Sequence, residues 1–340
     1  MGYDMLDKIK TTKELSLYLG VSEQKLKNIN PETSFASFQI LKPGSKEKRL
    51  IEYPKGELFR ILDRLCDGLQ WLYIDHLTPA AYGFIRKLKP CTDPRDIYTN
   101  AKKHLGNKYL LNVDLDDFFH QIDYQKLENL FSDYSLFSFN SQTEQLMTKL
   151  VSYRGRLPMG SPTSPPLSNF ATIGVDNDLL YWARRSNFTY TRFVDDLSFS
   201  SNMKITQTHL NQIIEILGTH RFVIGPNKTK FFGKDDYKEI TGLIIKDKIQ
   251  VPETFLTSFS NDIRIFQEIH QLVCQHPNAN VFEWLEHTRK VLHGRLAFLK
   301  MVQGEYDETY KKFKAEIESI YNYPTMERSV SWRYAGYEYC

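Results

Sequence analysis

The chain has 340 residues, of which 41% are hydrophobic and 14% aromatic, and its formal net charge is +3. No run approaches the length of about eighteen apolar residues that a membrane-spanning helix needs, the N-terminus lacks the apolar region of a secretory signal, and the four cysteines form no close pair. We therefore expect two or three subdomains in a reduced, cytoplasmic protein without a membrane partner, whose bulk charge does not indicate nucleic-acid binding.

Local charge is more informative than the total. Three basic clusters lie before residue 110, at residues 42–49, 85–90 and 100–108. Each is ordinarily a solvated face, but together they also suit a groove for phosphates, and both interpretations stay open.

The first third of the chain predicts helices and a hairpin. Residues 11–30 open with Thr-x-x-Glu, a capping-box pattern, and their helical periodicity breaks at Gly20 and Ser22. This indicates a small helical segment, with a DNA-reading helix-turn-helix as the weaker alternative. Residues 36–54 predict a hairpin, and residues 56–78 predict an amphipathic helix.

The middle third alternates strands and helices. Residues 108–119 predict a strand that ends in acidic residues, and residues 124–152 predict a helix. The Pro- and Gly-rich loop RLPMGSPTSPPLSN, residues 156–169, precedes a helix through 170–185 and a hairpin through 189–201.

Helices dominate the last third. Residues 205–220 predict a helix, residues 221–225 a short strand and residues 238–251 a second hairpin. From Pro252 onward the pattern is helical.

Carboxylates stand at the ends of two predicted strands. Asp114 ends an apolar strand, and Asp195 and Asp196 occupy the turn of the hairpin TYTRFVDDLSFSS. If the strands are neighbours in one sheet, the three side chains converge into an oxygen-rich site that suits Mg²⁺. Two ions about 3.5–4 Å apart would stabilise the attacking and leaving oxygens of a phosphoryl transfer. The alternative is that Asp-Asp is an ordinary turn sequence, and Asp116 is expected to be solvated.

The order of the segments resembles the palm of a reverse transcriptase. VDLDDFF is similar to motif A, LPMGSPTSPPLSN to motif B, FVDD to motif C, PNKTK to motif D, and ITGLII to the primer-grip hairpin. Ordered motifs are far more specific than any single one. YTNAKKHLG before motif A, EITGLII and the thumb-like WLEHTRKVLHGRLAFLKMV narrow the resemblance to retron reverse transcriptases.

Three segments depart from the family pattern. Met159 replaces a common Gln in motif B, Phe193 and Val194 replace Tyr-Ala in motif C, and FFHQI replaces Phe-Phe-Pro-Ser-Ile after motif A. None of these departures removes a metal ligand.

The resemblance implies metal binding and acid catalysis. Lys228 would protonate the leaving pyrophosphate, although a solvated strand-edge lysine is the alternative. Two Mg²⁺ ions, with Mn²⁺ as a substitute, would be bound by Asp114, Leu115, Asp195 and Asp196.

The resemblance also implies a nucleotide pocket. Phe119 would exclude a 2′-hydroxyl, while its neighbour Phe118 is more plausibly a core residue. Gly160 would let the backbone approach the nucleotide. The two arginines would grip the triphosphate or else be surface charges, and the predicted pocket comprises Arg49, Arg86, Asp117, Phe119, Met159 and Gly160.

Four residues are implied in RNA binding. Asn100 and His104 would contact template RNA or brace the fingers, and a lone His is more often structural. Thr241 and Gly242 of the primer-grip hairpin complete the set.

The implied fold is α+β, a right hand with fingers, a palm built on an antiparallel sheet with flanking helices, and a helical thumb. The expected bounds are a helical extension at 1–35, fingers at 36–110 with part of 124–160, a palm at 111–250, and thumb and tail at 251–340.

The implied function is copying a structured noncoding RNA of the msr-msd type into DNA with dNTPs. Priming from a guanosine 2′-hydroxyl would give branched, RNA-linked msDNA, in a retron that defends against phage with a separate effector protein. Another bacterial defence reverse transcriptase without a retron RNA, or an inactive RNA-binding scaffold for an effector, are the alternatives.

Overall fold

The computed structural model describes residues 6–41, 46–86, 93–225, 228–275 and 279–321. Parts of two predicted basic clusters, two motif D residues and the aromatic C-terminal tail lie outside these ranges. The chain divides into two units, Met1–Thr241 and Gly242–Cys340.

A 3-10 helix (Leu6–Lys8) and three short α-helices open the first unit, and the first two α-helices lie in the segment predicted to be helical. Helix α1 (Thr12–Leu19) begins with the predicted capping box, in which the Thr11 hydroxyl accepts a hydrogen bond from the Glu14 N–H at 3.2 Å. It ends at Gly20, whose φ of 68° is the left-handed conformation common after helices. Helices α2 (Glu23–Asn28) and α3 (Pro31–Ser34) follow.

A hairpin and a long helix come next. Strands β1 (Phe35–Leu41) and β2 (Lys48–Pro54) pair antiparallel, which confirms the predicted hairpin. Helix α4 (Gly56–Asp75) confirms the predicted amphipathic helix and buries one stripe of leucine and isoleucine side chains. Helix α5 (Ile97–Lys102) then leads into the central sheet.

The central sheet has four antiparallel strands in the order β4-β5-β3-β6. Strand β3 lies inside the sheet, and its alternating side chains Leu111 and Val113 are buried in the main core. The strand bounds are β3 (Tyr109–Asp114), β4 (Thr189–Phe193), β5 (Asp196–Ser201) and β6 (Lys230–Phe232).

Five helices pack around this sheet. The structure of this region also corrects three of the predicted elements. Residues 124–152 form two helices rather than one, because the intervening segment turns Phe137 and Phe139 into the core. Residues 156–169 are partly helical, since a helix begins at Ser164 with proline in its first turn. Residues 221–225 form no strand, although Ile224 makes an isolated bridge with Leu115. The helices are α6 (Tyr124–Phe131), α7 (Ser141–Val151), α8 (Ser164–Ala171), α9 (Ile173–Arg185) and α10 (Gln207–Thr219).

The first unit ends with strand β7 (Lys238–Ile240), and the second unit is mainly helical. The second unit contains the antiparallel pair β8 (Leu243–Ile245) and β9 (Ile249–Gln250). Three helices confirm the predicted helical end of the chain, and stacking of Phe259 on Phe313 at 4.8 Å joins the first to the third. They are α11 (Glu253–Gln275), α12 (Ala279–Gln303) and α13 (Glu308–Tyr321).

The mixture of helices and antiparallel sheets agrees with the predicted α+β class. Among the described helices, none has both the length and the apolar composition required to cross a membrane.

Candidate active site

Asp114 and Asp196 are opposite each other on neighbouring strands of the central sheet. They are register partners at the end of the β3–β5 pair. Asp195 occupies the turn between β4 and β5, and its carbonyl accepts a hydrogen bond from the Leu115 N–H at 3.1 Å. The sheet therefore brings together the three aspartates that the sequence singles out, together with the backbone of Leu115.

The crowded carboxylates perturb one another. Burial, followed by the negative charges of Asp195 and Asp114, raises the pKa of Asp196 to about 7. Burial and the charge of Asp114 also raise the pKa of Asp195, and the positive charges of Lys228 and Arg49 partly oppose this shift. The positive charges of the neighbouring side chains therefore compensate the negative charge of the three aspartates only in part.

Lys228 provides the nearest positive charge. Its Nζ lies 2.5 Å from Oδ2 of Asp114. This contact, together with the negative charges of Asp114, Asp116 and Asp195, raises the pKa of Lys228 above its ordinary value. Lys228 is therefore fully protonated at neutral pH and is paired with a carboxylate, which differs from the alternative of an isolated solvated lysine.

The carboxylates suit a divalent cation chemically, although they do not surround one as they stand. In the part of the chain that the structure describes, no three Asp, Glu, His or Cys side chains are arranged to hold a metal ion. Asp114 is turned toward Lys228 instead. Mg²⁺ prefers oxygen ligands, however, and the negative charges of neighbouring aspartates are one cause of the raised pKa values of Asp195 and Asp196, a repulsion that a bound cation would relieve.

The turn that carries Asp195 has an unusual backbone. Val194 has a φ of 63°, a left-handed conformation that is strained for a β-branched residue. Gly83 packs directly against it, because a Cβ on Gly83 would lie 2.6 Å from Val194 Cγ2. The Val194 carbonyl accepts a hydrogen bond from Arg192 Nη1 at 3.1 Å. Tertiary contacts therefore stabilise the turn.

Arg192 belongs to a buried polar network under this turn. Its Nε and Nη2 each donate to one oxygen of Asp176 at 2.9 Å, and both side chains have 0% exposure. Thr78 and Tyr190 donate to the same carboxylate at 2.7 and 3.0 Å, so the acceptor is fully used. Sequence reasoning missed this pair, although an arginine on the same strand face as Tyr190 was a usable signal.

The predicted steric gate lies in a short 3-10 helix, Phe118–Gln121, directly after β3. Phe118 is buried at 2% exposure, in agreement with its predicted place in the core. Phe119 is partly buried, and its ring lies 6.2 Å from that of Phe84. Asp117, just before this helix, has a φ of 43° and accepts a hydrogen bond from His120 Nδ1 at 2.7 Å.

Motif B contacts strand β2 closely. The Met159 carbonyl accepts a hydrogen bond from the Glu52 N–H at 2.7 Å. Gly160 has a φ of 123°, and a Cβ there would lie 2.9 Å from Ile51 Cγ2 and 3.1 Å from the Glu52 carbonyl. Close contact with the protein's own strand thus already requires glycine, whereas the sequence suggested approach to a nucleotide.

The two predicted triphosphate-binding arginines differ in their surroundings. Arg49 lies on β2, opposite Ile40, and its charge lowers the pKa of Asp195. Arg86 donates a hydrogen bond to Asp67 at 2.9 Å, and its guanidinium lies 4.8 Å from the Trp71 ring centroid. Arg49 is thus electrostatically linked to the carboxylates, and Arg86 is held against α4.

Two of the four residues predicted to bind RNA are buried inside the protein, and the other two lie in a turn. Asn100 and His104 are each 1% exposed. His104 contacts the hydroxyls of Ser200 and Thr191, both at 2.7 Å, and burial lowers its pKa to about 3. This placement agrees with the bracing alternative, and RNA contact by these two side chains stays a prediction.

Thr241 and Gly242 stand directly after β7. Their φ values of 49° and 78° are both in the left-handed region, as in the tight turns of hairpins. The Thr241 hydroxyl donates a hydrogen bond to the Ile97 carbonyl at 3.5 Å. Their predicted RNA contact stays a prediction.

Comparison with known proteins gives consistent matches. Residues 40–278 match the family model described as reverse transcriptase (RNA-dependent DNA polymerase). The chain is 28% identical to the retron Mx162 reverse transcriptase of Myxococcus xanthus over 71% of its own length and 54% of the relative. It is 28% identical to the retron Ec86 reverse transcriptase of Escherichia coli over 67% of the chain and 66% of the relative. For the retron Mx65 reverse transcriptase of Myxococcus xanthus the identity is 26%, over 88% of the chain and 70% of the relative. The chain thus spans between half and about two thirds of the first two relatives.

Proposed function

Because the chain belongs to the reverse transcriptase family, we propose that it copies an RNA template into DNA by two-metal nucleotidyl transfer. The observation that carries this proposal is the register of Asp114 opposite Asp196, with Asp195 in the adjoining turn. Two carboxylates on strands and one in the adjoining turn, all at one end of a sheet, are suited to this chemistry.

Asp114, Asp195 and Asp196, with the backbone carbonyl of Leu115, hold two Mg²⁺ ions in this proposal. The ions supply charge neutralisation for the attacking 3′-oxygen and the leaving pyrophosphate. Lys228, kept protonated by its contact with Asp114, exchanges that carboxylate for the pyrophosphate and donates a proton to it. Mn²⁺ substitutes for Mg²⁺ because it also accepts carboxylate ligands.

The nucleotide lies beside these carboxylates. Arg49 contacts its triphosphate, which agrees with the influence of this arginine on the pKa of Asp195. Phe119 excludes a 2′-hydroxyl, and Asp117, Met159 and Gly160 line the same pocket. Arg86 joins the triphosphate contacts after release from Asp67. In this assignment the palm is the central sheet with its helices, the fingers include the β1–β2 hairpin, and the thumb is the α11–α13 bundle.

The template in this proposal is a structured noncoding RNA. The matched relatives are named as retron reverse transcriptases, which supports an RNA of the msr-msd type, a branched msDNA product and a defence role with a separate effector. Sequencing the nucleic acid that co-purifies with the chain tests this part. A DNA joined to one structured RNA supports it, whereas random or homopolymeric DNA supports a defence enzyme without a retron RNA.

Primer extension on a generic RNA template with dNTPs and Mg²⁺ tests the chemistry. Asp195→Asn and Asp196→Asn are expected to abolish extension, and Asp235→Asn, at an exposed turn, serves as the matched control. Extension by either active-site variant at the wild-type rate would refute the site. Absence of extension by the wild type would favour the inactive RNA-binding scaffold.

A further inference from the structure

Glu52 is a buried carboxylate on β2 whose interactions reach both sides of the candidate nucleotide pocket. Its side chain has 0% exposure. Oε1 accepts a hydrogen bond from Arg156 Nη2 at 3.1 Å, and Oε2 lies 3.0 Å from His120 Nε2. Burying a carboxylate is costly unless it is fully paired, so these two contacts define where the Glu52 side chain can lie.

Through His120, Glu52 is connected to the segment after motif A. The His120 ring lies between two carboxylates, because Nδ1 contacts Asp117 Oδ2 at 2.7 Å. In a hydrogen bond between a histidine ring and an ionised carboxylate, the carboxylate is the acceptor. Charge-assisted bonds of this kind are stronger than neutral ones and fix orientation.

Through its backbone and Arg156, Glu52 is also connected to motif B. Its N–H donates to the Met159 carbonyl at 2.7 Å. The turn that carries Arg156 pairs with the chain after the 3-10 helix, since the Leu157 N–H donates to the Ile122 carbonyl at 2.9 Å. One buried residue, Glu52, is therefore connected both to the segment after motif A and to motif B.

A second contact holds the next residue of the same segment, Gln121. The Gln121 carbonyl Oε1 accepts a hydrogen bond from the Val223 N–H at 2.7 Å, and Nε2 donates to the Val223 carbonyl at 2.9 Å. The segment that carries Phe119 is thus attached at the two residues that follow it, His120 to Glu52 and Gln121 to Val223. Both residues belong to FFHQI, where this chain departs from Phe-Phe-Pro-Ser-Ile.

We propose that His120 and Gln121 hold the Phe119 segment in a two-point clamp, with buried Glu52 as the anchor, and that this clamp sets discrimination between deoxyribonucleotides and ribonucleotides. Proline and serine cannot make either contact, since proline has no side-chain donor and serine is too short to bond both backbone groups of Val223. His120, Gln121 and Glu52 are positioning residues, which act through Phe119 and Met159. This inference rests on the proposed polymerase function.

The test is single-nucleotide incorporation on an RNA template, with KM and kcat measured for a dNTP and for the matching rNTP. For His120→Ala we expect KM for the dNTP to rise about tenfold, as loss of one charge-assisted hydrogen bond implies, with kcat within about twofold of wild type. Preference for the dNTP over the rNTP should fall. Glu52→Gln keeps acceptor capacity and should show a smaller change in both quantities.

Two further variants keep the test decisive. Gln121→Ala breaks the clamp without disturbing the buried carboxylate, so it should also reduce dNTP preference even if the His120 variant folds poorly. His220→Ala removes a histidine–carboxylate contact of 2.7 Å to Asp178, on the surface and outside the pocket, and should leave KM and preference unchanged.

A merely structural role for the clamp predicts a different result. It would lower thermal stability and the active fraction while leaving KM and dNTP preference at wild-type values, and that outcome would overturn the inference alone. A wild-type protein that extends no primer would overturn the proposed function together with this inference.

Discussion

Arg192 donates two parallel hydrogen bonds to Asp176, 2.9 Å each, with both side chains completely buried. The same guanidinium donates to the Val194 carbonyl, next to Asp195. A buried ion pair is therefore structurally connected to the turn that carries the candidate metal ligands.

This connection predicts that a variant without either buried charge can retain stability and still have low activity. Asp176→Ala should lower the free energy of unfolding by about 3–5 kcal/mol, because it leaves Arg192 charged and unpaired in the core. A double variant, Asp176→Leu with Arg192→Met, removes both charges and should lose much less stability in urea denaturation. It should still extend primers poorly, since Val194 has lost its partner. Full primer extension by a stable double variant would contradict the link.

Replacement of Lys228 should lower the Mg²⁺ concentration that primer extension needs, and it should also lower kcat. Lys228→Gln removes the cation 2.5 Å from Asp114, so the carboxylates should bind Mg²⁺ at lower concentration. Without its proton donor, however, kcat should fall by about 10²-fold or more. A Mg²⁺ titration of primer extension measures both quantities. Lys234→Gln, at an exposed turn, is the control, and an unchanged kcat for Lys228→Gln would exclude the acid role.

Adjacent phenylalanines should respond oppositely to truncation. Phe118→Ala should cost about 3–5 kcal/mol of stability, because its ring is 2% exposed within the main core. Phe119→Ala should cost less, because this ring is only partly buried, but it should admit ribonucleotides. Thermal unfolding and rNTP incorporation distinguish the two. Unchanged rNTP exclusion in Phe119→Ala would remove Phe119 as the gate.

His104 should make the folded state sensitive to acid. Burial lowers its pKa from an ordinary 6.5 to about 3, so below pH 6.5 the unfolded chain binds a proton that the folded chain excludes. Its contribution to stability is therefore complete above pH 6.5 and is lost as pH falls toward 3, by up to about 1.4 kcal/mol per pH unit.

Denaturant unfolding between pH 7 and pH 5 measures this effect. His104→Gln cannot take up the proton, so its stability should depend less on pH in this interval, although its stability at pH 7 should be lower. An unchanged pH dependence in His104→Gln would show that other groups cause the acid sensitivity.

Local patterns predicted most of the secondary structure, because their causes are local. The capping box at Thr11 and the left-handed Gly20 place α1 correctly, and alternation around Asp195 places the β4–β5 hairpin. The predicted single helix at 124–152 failed because burial of Phe137 and Phe139 outweighs helical continuity. Burial against distant elements is a tertiary property that periodicity alone does not reveal.

The sequence by itself determined the three aspartates, the order of the motifs and the family. The strand that ends at Asp114 and the hairpin that turns at Asp195 can both be predicted from residues that are close together in the sequence. Only the tertiary structure decided what supports them: Glu52 lies 68 positions from His120, and Arg192 lies 16 positions from Asp176. A buried charge is stable only with a partner, and chain folding, which brings distant residues together, determines that partner.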